Sequence, residues 1–92
     1  MGGLKWKVLF HRDAVKDLEL LKRAGLSRKA KALALLLEED PFRNPPPYEK
    51  LRGDLQGCYS RRINIQHRMV YEVREADHTV RILAMWSHYG DN

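Results

Sequence analysis

The chain has 92 residues, enough for one domain with a single modest hydrophobic core. Hydrophobic residues make up 43% and charged residues 32%, proportions typical of a folded globular protein and not of a disordered chain. The formal net charge of +5 indicates a polyanionic partner, either nucleic acid or an acidic protein. No apolar run reaches the roughly 18 residues of a membrane helix, and the N-terminus lacks the pattern of a secretion signal, so we expect a cytoplasmic protein.

A strand is the first predicted element, over residues 5–10. Trp6, Val8 and Phe10 alternate there with other side chains at period two, the pattern of a strand with one buried face.

Two helices are predicted next, joined by a short link and therefore antiparallel. The first begins near Arg12 and ends at Gly25, a suitable C-terminal cap. The second begins with Ser27 as its N-cap and ends at Asp40, because a residue that precedes a proline is disfavoured in helical geometry. The positions expected to face a sheet are Val15, Leu18 and Leu21 in the first helix, and Ala30, Leu33, Ala34 and Leu37 in the second.

The second half of the chain predicts a connector followed by strands. Residues 41–50 contain all four prolines and predict a stiff, extended connector. After a turn at Gln56-Gly57, short connections predict an antiparallel three-strand meander. These strands cover residues 58–65, 67–74 and 79–86. The element order predicts one α+β domain over residues 1–92, with a helical hairpin on one face of a curved sheet and a flexible tail at 90–92.

Positive charge is concentrated in residues 43–74, which hold seven basic and three acidic side chains. Because alternate side chains of a strand point to opposite faces, the arginines of this segment cannot all share one face. Those on the outer face, with tyrosines beside them, would suit the phosphates and bases of single-stranded RNA. The alternative is that they are solvated sheet positions without a ligand. The residues concerned are Arg61, Arg62, Arg68 and Arg74, with Tyr59, Tyr71 and Tyr89.

Four segments, at residues 49–57 (EKLRGDLQG), 59–63 (YSRRI), 67–73 (HRMVYEV) and 86–89 (WSHY), stand in a distinctive order and spacing. Together they resemble the YoeB/Txe branch of the RelE superfamily of bacterial toxins. The resemblance implies a RelE-like fold, with which the helical hairpin agrees in length and order. It also implies the toxin of a toxin–antitoxin pair, a ribosome-dependent endoribonuclease that cuts messenger RNA and so inhibits translation.

The same resemblance, carried over position by position, implies the site. It assigns Glu49 as general base, Arg68 as the positive charge on the scissile phosphate and His88 as general acid. Cleavage of RNA by its own 2′-hydroxyl needs a base, an acid and a cation, and these three side-chain types supply them without a metal. Each has an alternative interpretation: a solvated loop carboxylate, an ordinary sheet arginine and a tail histidine. Further candidate substrate-binding residues are Arg62, Tyr89, Arg61, Lys50 and Arg52.

No cofactor is expected. The four histidines and the single cysteine make no metal-ligand cluster, and no Gly-rich phosphate loop is present. We expect His11, His67 and His78 to be structural or solvated, and Cys58 to be a small, half-buried strand residue that cannot form an internal disulfide.

The resemblance implies three partners: messenger RNA, the ribosome and an acidic cognate antitoxin of the YefM/Phd type, in a bacterial cytoplasm and away from membranes. A higher-order toxin–antitoxin complex is compatible with it. A non-catalytic inhibitor that occludes the ribosome or an RNA is the main alternative, and the RNA ends discriminate, because 2′-hydroxyl attack leaves a cyclic or 3′-phosphate. A DNA-binding regulator is less favoured, since no helix-turn-helix signal is present.

Overall fold

A computed structural model describes residues 4–86 of the chain. Five strands form one sheet in the order β1-β5-β4-β3-β2, in which β1 pairs with β5 in parallel and the other pairs are antiparallel. The predicted α+β class and the meander are therefore confirmed. No helix in this part of the chain is long and apolar enough to cross a membrane. The elements are β1 (Lys7–Phe10), α1 (Arg12–Arg23), α2 (Ser27–Glu39), β2 (Glu49–Lys50), a 3-10 turn (Gly53–Leu55), β3 (Cys58–Arg62), β4 (Arg68–Arg74) and β5 (Thr79–Ala84).

The link between the helices is built around Gly25, whose φ of 74° lies in the left-handed region that favours glycine. Leu26 N–H donates to Leu21 O and Gly25 N–H to Lys22 O, the paired bonds of a Schellman motif. The predicted end of the first helix is confirmed. The prediction of Ser27 as N-cap is wrong: Leu26 occupies that position and no side-chain cap is made.

Helix α1 turns a different face to the sheet from the one that its apolar spacing predicted. Ala14, Asp17 and Leu21 are buried, whereas Val15 and Leu18 are 51% and 43% exposed. A buried hydrogen bond explains the rotation, because the Asp17 carboxylate accepts from the Met85 backbone N–H at 2.9 Å. An unpaired amide buried after β5 would cost about 1–3 kcal/mol, and this hydrogen bond avoids that cost. The apolar stripe of α2 faces the core as predicted.

An apolar groove of about 370 Å³ lies at the helical hairpin, and the partly exposed Leu18 side chain lines it. Its walls come from both helices, from the last residue of β1 and from the residue that follows β5. They are Phe10, Leu18, Ser27, Ala30, Lys31, Ala34, Leu35 and Met85.

The proline-rich connector is not extended throughout, contrary to the prediction. It turns at Pro41 and bends near Pro45 before it enters β2, a two-residue strand that the sequence did not indicate. β3 and β5 also end earlier than predicted, whereas β4 ends at Arg74 as predicted. β3 stops at Arg62 because the Asn64 side-chain oxygen accepts from the N–H groups of residues 66 and 67 and closes a tight turn.

Candidate active site

The register of β2, β3 and β4 brings four polar side chains to one face of the sheet. Glu49 is opposite Ser60, and Arg62 is opposite Arg68. Directly opposed residues in an antiparallel pair share a face, and so do alternate residues of one strand, such as Ser60 and Arg62. All four therefore lie on the face away from the main core, which contains Met69 and others of opposite parity.

An ion pair joins two of the predicted catalytic residues. Arg68 Nη1 lies 2.9 Å from Glu49 Oε1, and the same nitrogen donates to Ser60 Oγ at 3.2 Å. The Glu49 side chain is 66% exposed and that of Arg68 33%, so both are accessible to a ligand. An exposed ion pair contributes at most about 1 kcal/mol to stability. The ion pair therefore contributes little to the stability of the fold, and its location in a cleft indicates a chemical role.

The cleft around this pair has a volume of about 210 Å³. Arg62 borders it with an exposed guanidinium, whose Nη1 lies 3.4 Å from the Ile65 carbonyl oxygen. Two guanidinium groups can bind one phosphate, while a neighbouring carboxylate can accept a proton. The lining residues are Pro46, Pro47, Tyr48, Glu49, Ser60, Arg62 and Arg68.

Arg61 does not belong to this cleft, which corrects its assignment as a substrate-binding residue. It follows Ser60 and precedes Arg62, so its side chain points to the opposite face, where it is 1% exposed. Its guanidinium donates to the Tyr71 hydroxyl and to backbone carbonyls of the connector. These bonds leave it buried and unable to reach a phosphate.

The remaining predicted contacts lie beside the cleft or outside the described residues. Lys50 and Arg52 are exposed and border a separate shallow depression next to the 3-10 turn. Lys50 is opposite Tyr59, so the register assigns it to the other face from Glu49. His88 and Tyr89, like the tail at 90–92, lie outside residues 4–86.

Three histidines have the structural roles expected of them. His11 is the N-cap of α1 and accepts from the Asp13 N–H at 3.1 Å. His67 is buried and stacks on Trp86 with ring centroids 3.9 Å apart, and His78 stacks on Trp6 at the same distance.

Cys58 is more deeply buried than the half-buried position predicted for it. Burial raises the pKa of its thiol, and the nearby Glu72 carboxylate raises it further. Both effects disfavour the thiolate, so Cys58 is a poor candidate for a nucleophile.

One residue of the cleft, Ser60, was missed by sequence reasoning. Its type and position gave no signal, and only the pairing of β2 with β3 reveals that it lies between Glu49 and Arg68. Within residues 4–86, no group of three histidine, cysteine or acidic side chains is placed to hold a metal ion.

Known proteins resemble this chain in sequence and in fold. Residues 10–89 match the family model described as YoeB-like toxin of bacterial type II toxin-antitoxin system. Toxin YoeB of Synechocystis sp. is 41% identical over 73 residues, 79% of this chain and 76% of that protein. The YoeB/ParE toxin from Agrobacterium tumefaciens superposes with a TM-score of 0.79 at 29% identity, over 90% of this chain and 99% of that one. A chain of the YoeB-YefM complex from Staphylococcus aureus superposes with a TM-score of 0.76 at 28% identity, over 92% and 99% of the two chains.

Proposed function

The chain belongs to the YoeB-like toxin family of bacterial type II toxin–antitoxin systems, and we propose that it is an endoribonuclease that cuts messenger RNA on the ribosome. The observation that carries the proposal is the pairing of Glu49 with Arg68 at 2.9 Å, in a cleft that Arg62 also borders. A carboxylate in a cleft with guanidinium groups combines a proton acceptor with a phosphate site, which is the pair of tasks that 2′-hydroxyl attack demands.

In the proposed reaction, Glu49 removes the proton of the 2′-hydroxyl nearest the scissile phosphate. The 2′-oxygen attacks phosphorus, the bond to the 5′-oxygen breaks, and the products are a 2′,3′-cyclic phosphate and a 5′-hydroxyl. Arg68 neutralises the charge that grows on the phosphorane oxygens. In the free protein this guanidinium binds Glu49, so the incoming phosphate must compete for it and thereby release the carboxylate for its role as base.

The general acid in this proposal is His88, which protonates the departing 5′-oxygen. Its role comes from the family resemblance, and it follows Trp86 by two positions in the sequence. Trp86 is half-buried and packs against both the core and the ring of His67. Tyr89 and Arg62 are proposed as supporting groups at the substrate.

We also propose that an acidic antitoxin binds the chain and inhibits it in the cytoplasm. The relative from Staphylococcus aureus has been solved as a YoeB-YefM complex. In this chain, residues 20–37 contain Lys22, Arg23, Arg28, Lys29 and Lys31 and no acidic residue. This positive end of the hairpin adjoins the apolar groove, which Lys31 lines. An amphipathic segment with acidic side chains would match both the groove and the charge.

The termini of the RNA provide the test. Programmed ribosomes are incubated with purified toxin, and the message is then mapped at both new ends. A cyclic or 3′-phosphate upstream of the cut and a 5′-hydroxyl downstream are expected, and Glu49→Gln should suppress both. Intact message with translation still blocked would instead establish the alternative, a non-catalytic inhibitor that occludes the ribosome.

A further inference from the structure

The Arg61 side chain is a buried cation held by neutral groups. It is 1% exposed, and its Nε donates to the Tyr71 hydroxyl at 3.0 Å. Among residues 4–86, no carboxylate lies within ion-pair distance of it. A charge this deeply buried is tolerated only when its donors are well paired. The hydrogen-bond partners of Arg61 therefore identify the segment that its guanidinium stabilises.

Those partners belong to the connector between α2 and β2. Nη2 donates to the carbonyl oxygens of Pro41 at 3.0 Å and Arg43 at 2.7 Å, and Nη1 donates to that of Pro46. The guanidinium carbon also lies 4.9 Å from the ring centroid of Tyr48. The contacts thus extend along the whole connector and end one residue before Glu49.

The composition of the connector explains why it needs such an anchor. Four of its residues are prolines, which have no N–H and so cannot donate to a sheet. Its carbonyl groups remain free to accept, and Arg61 supplies donors for three of them. Glu49 then enters a strand of only two residues, opposite Ser60. So short a strand has little capacity to fix its own position.

We propose that Arg61 is a positioning residue that acts through Glu49. Its planar fork fixes the connector and thereby sets the carboxylate beside Arg68 in the cleft. The proposal rests on the proposed function in one respect, that Glu49 is the general base. It gives three successive residues of β3 different tasks: Ser60 contacts Arg68, Arg61 holds the connector, and Arg62 borders the cleft.

A double-mutant cycle tests whether Arg61 acts through Glu49. Single-turnover cleavage on saturating programmed ribosomes is compared for the wild type, Arg61→Met, Glu49→Ala and the double variant. A base displaced by about 1 Å can cost on the order of 10²-fold, so we expect Arg61→Met to lower the rate constant by about that factor with little change in the half-saturating ribosome concentration. In the Glu49→Ala background, the same substitution should cause no further loss. Losses that multiply would overturn the proposal.

Two further variants serve as comparisons. One keeps the positive charge at position 61 but changes the geometry of its donors, and the other removes the exposed side chain of a nearby arginine. Arg61→Lys keeps the charge but presents its donors from a single nitrogen, which cannot span carbonyls on both sides of the fork. It should remain almost as slow as Arg61→Met, and full activity would overturn the proposal. Arg43→Ala is the matched control, because its side chain is exposed and the backbone carbonyl that Arg61 binds is retained.

Hydrogen–deuterium exchange tests the placement independently of cleavage. In Arg61→Met, the amides of residues 48–51 should exchange faster, while those of β4 and β5 keep their protection. Tyr71→Phe, which removes only the hydroxyl shared by Arg61 and Pro41, should show a smaller effect at the same amides. Unchanged exchange in both variants would overturn the proposal. A wild type that does not cleave, with exchange altered as expected, would refute the nuclease function and leave Arg61 as the anchor of the connector.

Discussion

Ser60 and Glu49 bind the same nitrogen of Arg68, Nη1, from neighbouring strands. The hydroxyl is thus a second contact for the guanidinium, in addition to the carboxylate. If Glu49 moves to the 2′-hydroxyl during the reaction, Ser60 remains as the contact that keeps Arg68 in place.

Substitution of Ser60 by Ala should slow cleavage moderately. A hydrogen bond to a charged group contributes about 1.5–3 kcal/mol, but Arg68 is partly solvated, so we expect about 1 kcal/mol, or roughly fivefold in rate. Single-turnover kinetics on programmed ribosomes measures this effect. Ser27→Ala is the control, since Ser27 is exposed at the start of α2 and makes no cap. A rate unchanged by Ser60→Ala would show that Arg68 needs no second anchor.

The acid and the base can be told apart by the leaving atom. A message with a 5′-bridging sulfur at the scissile position releases a thiolate, which leaves without a proton. His88→Ala should then recover most of a loss that is on the order of 10²–10⁴ on ordinary RNA, while Glu49→Ala and Arg68→Ala stay slow.

A 2′-deoxy nucleotide upstream of the cut is the control for the same experiment and should stop every variant. Rescue of Glu49→Ala instead of His88→Ala would reverse the assignments, and cleavage of the deoxy message would refute the mechanism.

RNA binding should depend on salt through Arg62. Each phosphate contact to a single strand contributes roughly 0.7 to the slope of log affinity against log salt concentration. Arg62→Ala should flatten the slope by about that amount for a short single-stranded RNA. Arg23→Ala removes an equally charged side chain from the end of α1, where its guanidinium pairs with Glu19, and should leave the slope unchanged. Equal slopes for the wild type and Arg62→Ala would exclude a phosphate contact at Arg62.

The antitoxin should depend on the apolar groove, which does not overlap the cleft. Leu35→Glu places a negative charge in the groove, where it would oppose an acidic partner and disturb apolar contacts. We expect the dissociation constant for the antitoxin to rise by about 30-fold, equivalent to about 2 kcal/mol, with cleavage by the free toxin preserved. Leu4→Glu, at a position 84% exposed and away from the groove, should bind normally. Calorimetric titration that gives equal affinities for both variants would exclude the groove as the docking site.

Stability should fall at alkaline pH because of Cys58. Burial and then Glu72 raise the pKa of this thiol, so the folded protein keeps a proton that the unfolded chain loses. The stabilisation is complete below the unfolded pKa of about 8.5 and is lost as the pH rises through the folded pKa. Urea denaturation between about pH 7.5 and 9.5 should show a falling free energy of unfolding, and a flatter profile for Cys58→Ala.

Tyr71 adds a second contribution at higher pH. Its pKa is raised mainly by burial, although the hydrogen bond from Arg61 lowers it in part. Its ordinary pKa is about 10, so its effect begins above the range used for Cys58. For Cys58, the outcome that would contradict the prediction is a free energy of unfolding that depends on pH in the same way in the wild type and in Cys58→Ala.

The sequence predicted the positions of the helices and strands along the chain better than it predicted which side chains are buried. Helix α1 has correct ends, because Gly25 and the polar residues after Phe10 are local signals. Its buried face was wrong at Val15 and Leu18, because a hydrogen bond from Met85 to Asp17 decides the rotation. That bond joins residues at opposite ends of the chain, and no local pattern encodes it.

The same distinction applies to the candidate site. The alternation of β3 and β4 indicated that the arginines must divide between two faces, and the structure divides Arg61 from Arg62 and Arg68 in this way. Which arginine is buried depended on the carbonyl groups of the connector, whose path the prolines alone did not define. Strand β2 escaped prediction because two residues are too few to show a period.

The parallel pairing of β1 with β5 joins the first and last strands of the described chain. During synthesis, β1 leaves the ribosome early, but it cannot pair with its neighbour in the sheet until β5 has also been synthesised. A polypeptide that stops before β5 also lacks Val80 and Ile82, which are fully buried in the core. Broken templates should therefore yield unfolded fragments without activity. If the proposed function holds, a cut in the toxin's own message upstream of the codons for β5 would therefore prevent the synthesis of a folded copy.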